Sequence, residues 1–526
     1  MKLGVDFGTT RTVVAAVDRG NYPVVGFESP DGFVREWFPP LIALDGDRRL
    51  YGWQAWAAQE SPSATIVRSL KRVLADAGPQ TIIQLGGTSE ALSTLLAEMM
   101  QELRNALISA STLTVSEGES LEVMLGVPAN ANSNQRFLSV EAFCQAGFSV
   151  LGLLNEPSAA AIEFGHSNKD KRNGSRGRIL VYDLGGGTFD ASLVELEERS
   201  HAVVATESIA TLGGDDFDEV LAELALETAG FDHSVRDSLS QAELFRLQEE
   251  CRNKKEALHP NTRRIAVDLE CARAGWPVVS VPVNLFYERC LPMIEETLHA
   301  VEDLITNQDL LEALYVTGGG SELPLVARSL RDHFGRRVKR SAYARSATAI
   351  GLAIQADAQS GYVLREKFTR YFGVWRESEG GRVMSFDPLF PKGVELPHAA
   401  EPALEVHRSY WAVHNIGHFR YLECSHINEW GHPAGDITVW DEIRFPFDPA
   451  LKDEQDLSSH AVCHAQPQQV DEHFSCDRSG TVAVSISNVS AGYSRQYRLG
   501  RWSVQEATVV PGKKKRSPSR RKAQTT

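Results

Sequence analysis

No apolar stretch in these 526 residues reaches the length of roughly 20 that a membrane helix needs, so a membrane span is not expected. No basic, apolar, small-residue leader precedes the first strand-like run, Lys2 to Val5, and the expected location is the cytoplasm. The seven cysteines (144, 251, 271, 290, 424, 463 and 476) form no C-x-x-C pair and are odd in number. That excludes a disulfide framework in favour of reduced thiols. Charge is unevenly distributed along the chain. The net charge is −15, yet Lys513 to Lys522 carries seven positive charges and no negative ones, so the remainder is −15 − 7 = −22. A body this acidic is a poor nucleic-acid binder, and such a partner is expected only through the tail. Residues 509–526 are expected to be disordered, since the run from Lys513 to Lys522 is Lys, Arg, Ser and Pro without apolar residues.

Two glycine-rich turns of one design lie roughly 180 residues apart. The first is Val5-Asp6-Phe7-Gly8-Thr9-Thr10, and the second is Tyr182-Asp183-Leu184-Gly185-Gly186-Gly187-Thr188. Each follows an apolar, strand-like run and places an Asp at the strand end. Glycines let backbone N–H groups approach phosphate oxygens, Thr hydroxyls add hydrogen bonds, and Asp can hold Mg²⁺ through water. Two such turns facing each other would clamp a triphosphate between two lobes. A third cluster, Gly318-Gly319-Gly320-Ser321, follows the strand-like Leu314 to Thr317 and suits the adenosine side of a nucleotide.

Around these turns the chain alternates strands and helices. Leu121 to Val127 reads as a buried strand, Asn134 to Ala146 as a helix, and Ser158 to Gly165 as another. Lys169 to Arg178 reads as an exposed turn. A long helical region is expected from Asp218 to Ala257 with a break near Gly230, and a final helix from Arg345 to Gln355. Residues 1–358 thus read as a duplicated α/β unit. After Gly361 helical periodicity stops, and short alternating runs appear at Gly417 to Cys424, Asp436 to Phe445 and Thr481 to Ser487. An all-β domain is expected there.

The order of VPANANSNQR, LLNEPSAAAIEFG and YDLGGGTFDAS over residues 1 to about 355 resembles the ATPase domain of the 70-kilodalton heat-shock chaperones (the DnaK family). That domain belongs to the actin and hexokinase superfamily. The resemblance implies an actin-like, ribonuclease H-like ATPase domain in two lobes (1–358), a linker (359–373), a β-sandwich substrate-binding domain (374–508) and the basic tail. It implies ATP/ADP and Mg²⁺ as cofactors, with Asp6, Asp183 and Asp190 holding the metal through water. By the same resemblance Gly8, Thr9, Thr10 and the turn Gly185, Gly186, Gly187, Thr188 cradle phosphates, and Gly213, Gly214, Lys255, Gly318 and Gly319 complete the nucleotide site. Lys71 resembles the lysine that orients the attacking water, and Glu156 the glutamate near the metal. Thr188 and Asp183 share in catalysis, and Pro128 and Arg136 resemble the pair that relays nucleotide state to the substrate domain.

The departures gather on the adenosine side. Arg252 stands where the family usually has Glu, His259 and Gly320 where it has Ser, Glu322 where it has Arg, and Arg345 where it has Asp. A carboxylate at 322 cannot stack on a base as a guanidinium does. ATP binding with altered base recognition is the expectation. Charges at Arg365, Glu366, Lys367 and Arg370 break up the usually apolar linker, and with 26 residues after Gly500 a helical lid is not expected in this sequence.

Pro388-Leu389-Phe390-Pro391 and Phe474 to Ser487 resemble the opening and closing of the peptide-binding sandwich, with Tyr410 and Trp411 as candidate groove residues. Nine of the 15 histidines fall in this domain. His414 and His418, like His460 and His464, are four apart, which puts ligands on one face only in a helix; in strands or loops they read as surface or core residues rather than metal ligands.

Two functions compete. One is an ATP-dependent chaperone acting on unfolded or specific client proteins, with a co-chaperone or exchange factor. The other is a nucleotide-gated binding or regulatory protein of the same fold with little turnover. A small-molecule kinase is disfavoured by the downstream β-domain, as is a filament former.

Overall fold

The computed structural model describes every residue except 75–76, 78–80, 170–175, 233, 306–310, 379–382, 398–400, 455, 478–479 and 500–526. The basic tail and most of the turn expected at 169–178 therefore lie outside the described residues. The chain divides into two compact units, one of residues 1–369 with 393–395, the other of 370–392 and residues from 396 on.

The first unit contains two larger sheets. In one the strand order is Ser149–Asn155, Glu122–Val127, Lys2–Phe7, Thr12–Ala16. The first three are parallel, and the last returns antiparallel. In the other it is Val338–Arg340, Leu311–Thr317, Gly177–Leu184, Phe189–Glu197, Ser200–Ile209, Val363–Arg365. Here too the first three are parallel and the fourth returns antiparallel. Each glycine turn therefore follows a strand with a parallel neighbour on one side and its own hairpin partner on the other. These central strands are continuous apolar runs (Leu3, Val5; Ile179 to Tyr182) that are fully buried, as expected when both faces are covered.

Helices cover the sheets at close range. A Cβ on Gly351 would lie 1.8 Å from the carbonyl oxygen of Ala159, so only glycine lets helix Ala347–Ala356 lie against helix Glu156–Ser167. The helical region expected from 218 to 257 is three pieces, Gly214–Thr228, Ser234–Asp237 and Gln241–Glu256. Gly230, at φ +80°, closes the first, with Phe231 N–H reaching back to Leu226 C=O. Ser240 opens the last through a reciprocal capping box with Glu243. The helix expected from Arg345 begins at Ala347, leaving Arg345 in the preceding turn. Residues 363–365, within the expected linker, pair in parallel with Ser200–Ala202 as the edge strand of the second sheet.

The second unit holds two four-stranded antiparallel sheets. Their orders are Val383–Phe390, Tyr371–Ser378, Ile416–Ile427, Pro433–Pro446, and Leu404–His414, His464–Cys476, Val482–Asn488, Tyr493–Leu499. Side chains alternate as period two requires: Val470, Phe474 and Cys476 are buried, while Asp471 is exposed and His473 and Ser475 are half-buried. Tyr421 meets Phe474 and Phe445 meets Tyr493, joining the two sheets through aromatic rings. The buried Glu472 carboxylate is matched by a fork from Arg376, with both N–H···O distances 3.0 Å.

Candidate functional site

Both glycine turns close in the same way. Gly8 N–H donates to Arg11 C=O at 3.1 Å, and Gly185 N–H to Thr188 C=O at 3.0 Å. Asp6 thus corresponds to Asp183, Thr9 to Gly186, Thr10 to Gly187 and Arg11 to Thr188. Across the ladders Asp6 pairs with Val13, whereas Asp183 pairs with Asp190. The turns face each other. A Cβ on Gly186 would lie 2.5 Å from Thr10 Oγ1, and one on Gly187 2.5 Å from Thr9 Oγ1. Threonines of one hairpin fill the space that glycines of the other leave open.

Three further contacts hold this arrangement. The N-terminus of helix Gly214–Thr228 is tied to the second turn, Gly214 N–H donating to Gly185 C=O and Asp215 N–H to Gly186 C=O. A Cβ on Gly213 would lie 2.6 Å from the same Gly186 oxygen. Arg72 donates from Nε to Gly187 C=O at 3.0 Å and pairs with Asp216. Gly318, at φ +83°, approaches Asp183 so closely that a Cβ would stand 2.4 Å from its carboxylate.

A cleft with an empty volume of about 860 Å³, open mouth included, runs between these elements. At its floor Asp6, Glu156, Asp183 and Asp190 surround Lys71, which pairs directly with Glu156. Burial pushes all four carboxyls up. Asp183 reaches about 7, raised further by Asp6 and Asp190, and Glu156 reaches about 8 although Lys71 opposes the rise. Burial alone would lower Lys71, but Glu156, Asp6 and Asp190 outweigh it and raise its pKa. Asp190 is oriented by Ala129 N–H at 3.0 Å and Ser208 Oγ–H at 2.6 Å. Four carboxyls, those of Glu156 and Asp190 buried and those of Asp6 and Asp183 half-buried, against one ammonium leave the floor short of positive charge. Oxygen-only donors in such excess suit a hard divalent cation, so these residues fit Mg²⁺.

The other end of the cleft is neutralised from within. Lys255 donates to Gly214 C=O and pairs with Asp218 at 2.7 Å. Arg252 pairs with Glu249 at 2.7 Å. Arg345 binds Glu256 at 2.9 Å and donates to Glu322 from Nε at 2.8 Å. Arg11 reaches the same Glu256 at 2.9 Å and lies over the ring of Trp37. Arg340 pairs with Glu322 at 2.8 Å. Burial would push Glu256 up, but Arg11 and Arg345 dominate and hold it at about 2. The two departures Glu322 and Arg345 are thus partners. Arg11 and Glu256 were not singled out from sequence; the available signal was that Arg11 stands where the second turn has Thr188.

Pro128 lies at the end of strand Glu122–Val127, next to Ala129, whose N–H binds Asp190. Arg136 donates to Asn155 Oδ1 at 2.8 Å, and Asn155 N–H donates to the buried carboxylate of Glu366 at 2.7 Å. In the second unit Tyr410 packs against Phe447 and under Arg376, whereas Trp411 is 64% exposed. As consecutive strand residues they lie on opposite faces, so the two do not line one groove.

Comparison with known proteins shows the family of the chain. A family model described as Hsp70 protein matches residues 2–369. A chaperone protein HscA homolog of Aliivibrio fischeri is 32% identical over 426 residues, 76% of this chain and 65% of that protein. The chaperone protein HscA of Proteus mirabilis is 31% identical over 380 residues, 67% of this chain and 57% of that protein. An HscA homolog of Methylibium petroleiphilum is 33% identical over 377 residues, 68% and 58% of the respective chains. The chain spans less than two thirds of the length of these relatives.

Proposed function

Because this chain belongs to the Hsp70 family, we propose that it is an ATP-dependent chaperone that hydrolyses ATP between two actin-like lobes and couples this to client binding in its β-sandwich unit. The observation that carries the reading is the pair of facing Asp-Gly-Thr hairpins closed around Lys71. Backbone N–H groups of the two turns, with Thr9, Thr10 and Thr188, bind the phosphates. Mg²⁺, held by Asp6, Asp183 and Asp190, supplies charge neutralisation when bound. Glu156 fixes the Lys71 ammonium, which positions the attacking water and offsets charge on the transferred phosphoryl group.

The coupling route runs through consecutive residues. Glu156 touches Lys71, and Asn155 before it binds both Arg136 and Glu366. A shift of Glu156 on hydrolysis is transmitted to the segment that begins the linker, with Pro128 and Arg136 as its pivot. Clients and a co-chaperone or exchange factor are the expected partners.

A second reading, a nucleotide-gated binding protein with little turnover, is favoured by the ion network in which Glu256 holds Arg11 and Arg345 at the far end of the cleft. Single-turnover hydrolysis with Mg²⁺ separates the two, for the wild type beside Lys71→Ala, with and without a denatured client. The chaperone reading requires hydrolysis that Lys71→Ala abolishes and client accelerates. Tight ATP binding without hydrolysis supports the second reading.

A further inference from the structure

Nothing in the nucleotide cleft accounts for the outer face of the ribbon formed by strands Leu404–His414 and His464–Cys476. His407 and His473 are direct cross-strand partners there, with ring centroids 4.2 Å apart and planes at 20°. Glu405, two residues before His407, lies on the same face. Its carboxylate comes within 3.8 Å of His407 Nε2 and 3.6 Å of His473 Nε2. The three ligand atoms all lie within 4.8 Å of one another. His473 Nε2 is shielded from solvent and makes no hydrogen bond among the described residues. A shielded ring nitrogen that makes no hydrogen bond is costly, and its nearest acidic group is the Glu405 carboxylate at 3.6 Å.

We propose that Glu405, His407 and His473 form a binding site for a divalent transition metal, for which Zn²⁺ is the probe. Donor atoms around tetrahedral zinc, with bonds of about 2.0–2.1 Å, stand about 3.3 Å apart. Closing from the present spacing takes only small side-chain rotations, because the ladder already sets the backbone. Two imidazoles and one carboxylate select Zn²⁺, Ni²⁺ or Cu²⁺ over Mg²⁺ or Ca²⁺. Three protein ligands leave a fourth position for water or a partner's side chain. The directly paired positions on this face are neutral, and Asp471 on the next rung is the nearest further carboxylate. Ser475 pairs with Glu405, and Ser485 with His473. On the next rung Asp471 accepts from Ser409 Oγ–H. The helical spacing of His414 with His418 plays no part. The ligands come from strands far apart in sequence, which is why spacing alone did not reveal them.

The test is calorimetric titration of the full chain, free of any histidine tag, with Zn²⁺ in millimolar Mg²⁺. Co²⁺ substitution serves as a spectroscopic check of geometry. One equivalent should bind. His407→Ala and His473→Ala should each abolish it, Glu405→Gln should weaken it at least about tenfold, and His414→Ala and His464→Ala should leave it intact. Glu405 and His407 are exposed, so their variants should melt like the wild type without metal and lose only its stabilisation by Zn²⁺. The proposal is overturned if nothing saturable binds below about 100 μM. It is overturned equally if the double variant His407→Ala/His473→Ala binds as the wild type does.

Discussion

At one end of the cleft four carboxyls share the single ammonium of Lys71; at the other, Arg11, Arg340 and Arg345 share Glu256 and Glu322. The first end is electrostatically incomplete and gains most from a cation and the phosphates it carries. The second is satisfied without ligand, so whatever part of a nucleotide lies there must displace or accommodate existing ion pairs. Affinity should come from the floor, and the rate of entry and release from the rim. Partly exposed pairs are each worth at most about 1 kcal/mol, whereas an uncompensated buried charge costs several.

The largest effect expected from breaking this contrast is at the floor. Lys71→Ala should cut single-turnover hydrolysis by about 100- to 1000-fold, while calorimetry still shows nucleotide binding. A variant that hydrolyses normally would mean that the floor binds without catalysing. Next is the packing of the two turns. Gly187→Ala should weaken ADP binding at least about tenfold, because its new methyl meets Thr9 and forces the hairpins apart. Adding Thr9→Ala should recover part of that loss if steric contact is the cause, and a thermodynamic cycle measures the coupling.

A smaller effect is expected at the rim. Glu256→Ala frees Arg11, leaves Arg345 held by Glu322 alone, and should speed ADP release about fivefold, seen by stopped-flow with a fluorescent nucleotide. Unchanged release would show that the rim is not a latch. The smallest effect is with pH. Glu256 is held at about 2, below its ordinary 4.5. Its contribution is fully present above about pH 4.5 and is lost as pH falls toward 2. Release should therefore not change between pH 5 and 8 on account of this group, and a titration of the release rate across that range checks it.

Local features of the site were legible because they are written in short runs. Asp6-Phe7-Gly8-Thr9-Thr10 and Asp183 to Thr188 carry their own turn chemistry, and apolar runs before them specify strands. Gly318 was legible from its place after the strand-like Leu314 to Thr317. Element ends were less legible. Arg345 was read as helical but lies in a turn, since nothing in the local pattern says that its guanidinium is held by Glu256 and Glu322. Arg11 and Glu256 escaped notice because 245 positions separate them. Charge at Glu366 read as a disruption of the linker, yet that carboxylate is buried and accepts the Asn155 N–H.

By itself the sequence determined which residues could turn tightly, which runs must be buried and which side chains carry phosphate chemistry, because those properties depend on neighbours within a few positions. Only the tertiary structure decided that Thr9 and Thr10 fill the space left by Gly187 and Gly186, that Glu322 and Arg345 answer each other's charge, and that Glu405, His407 and His473 meet on one face. Those outcomes depend on ladder register and through-space charge. Neither is set until distant segments pack.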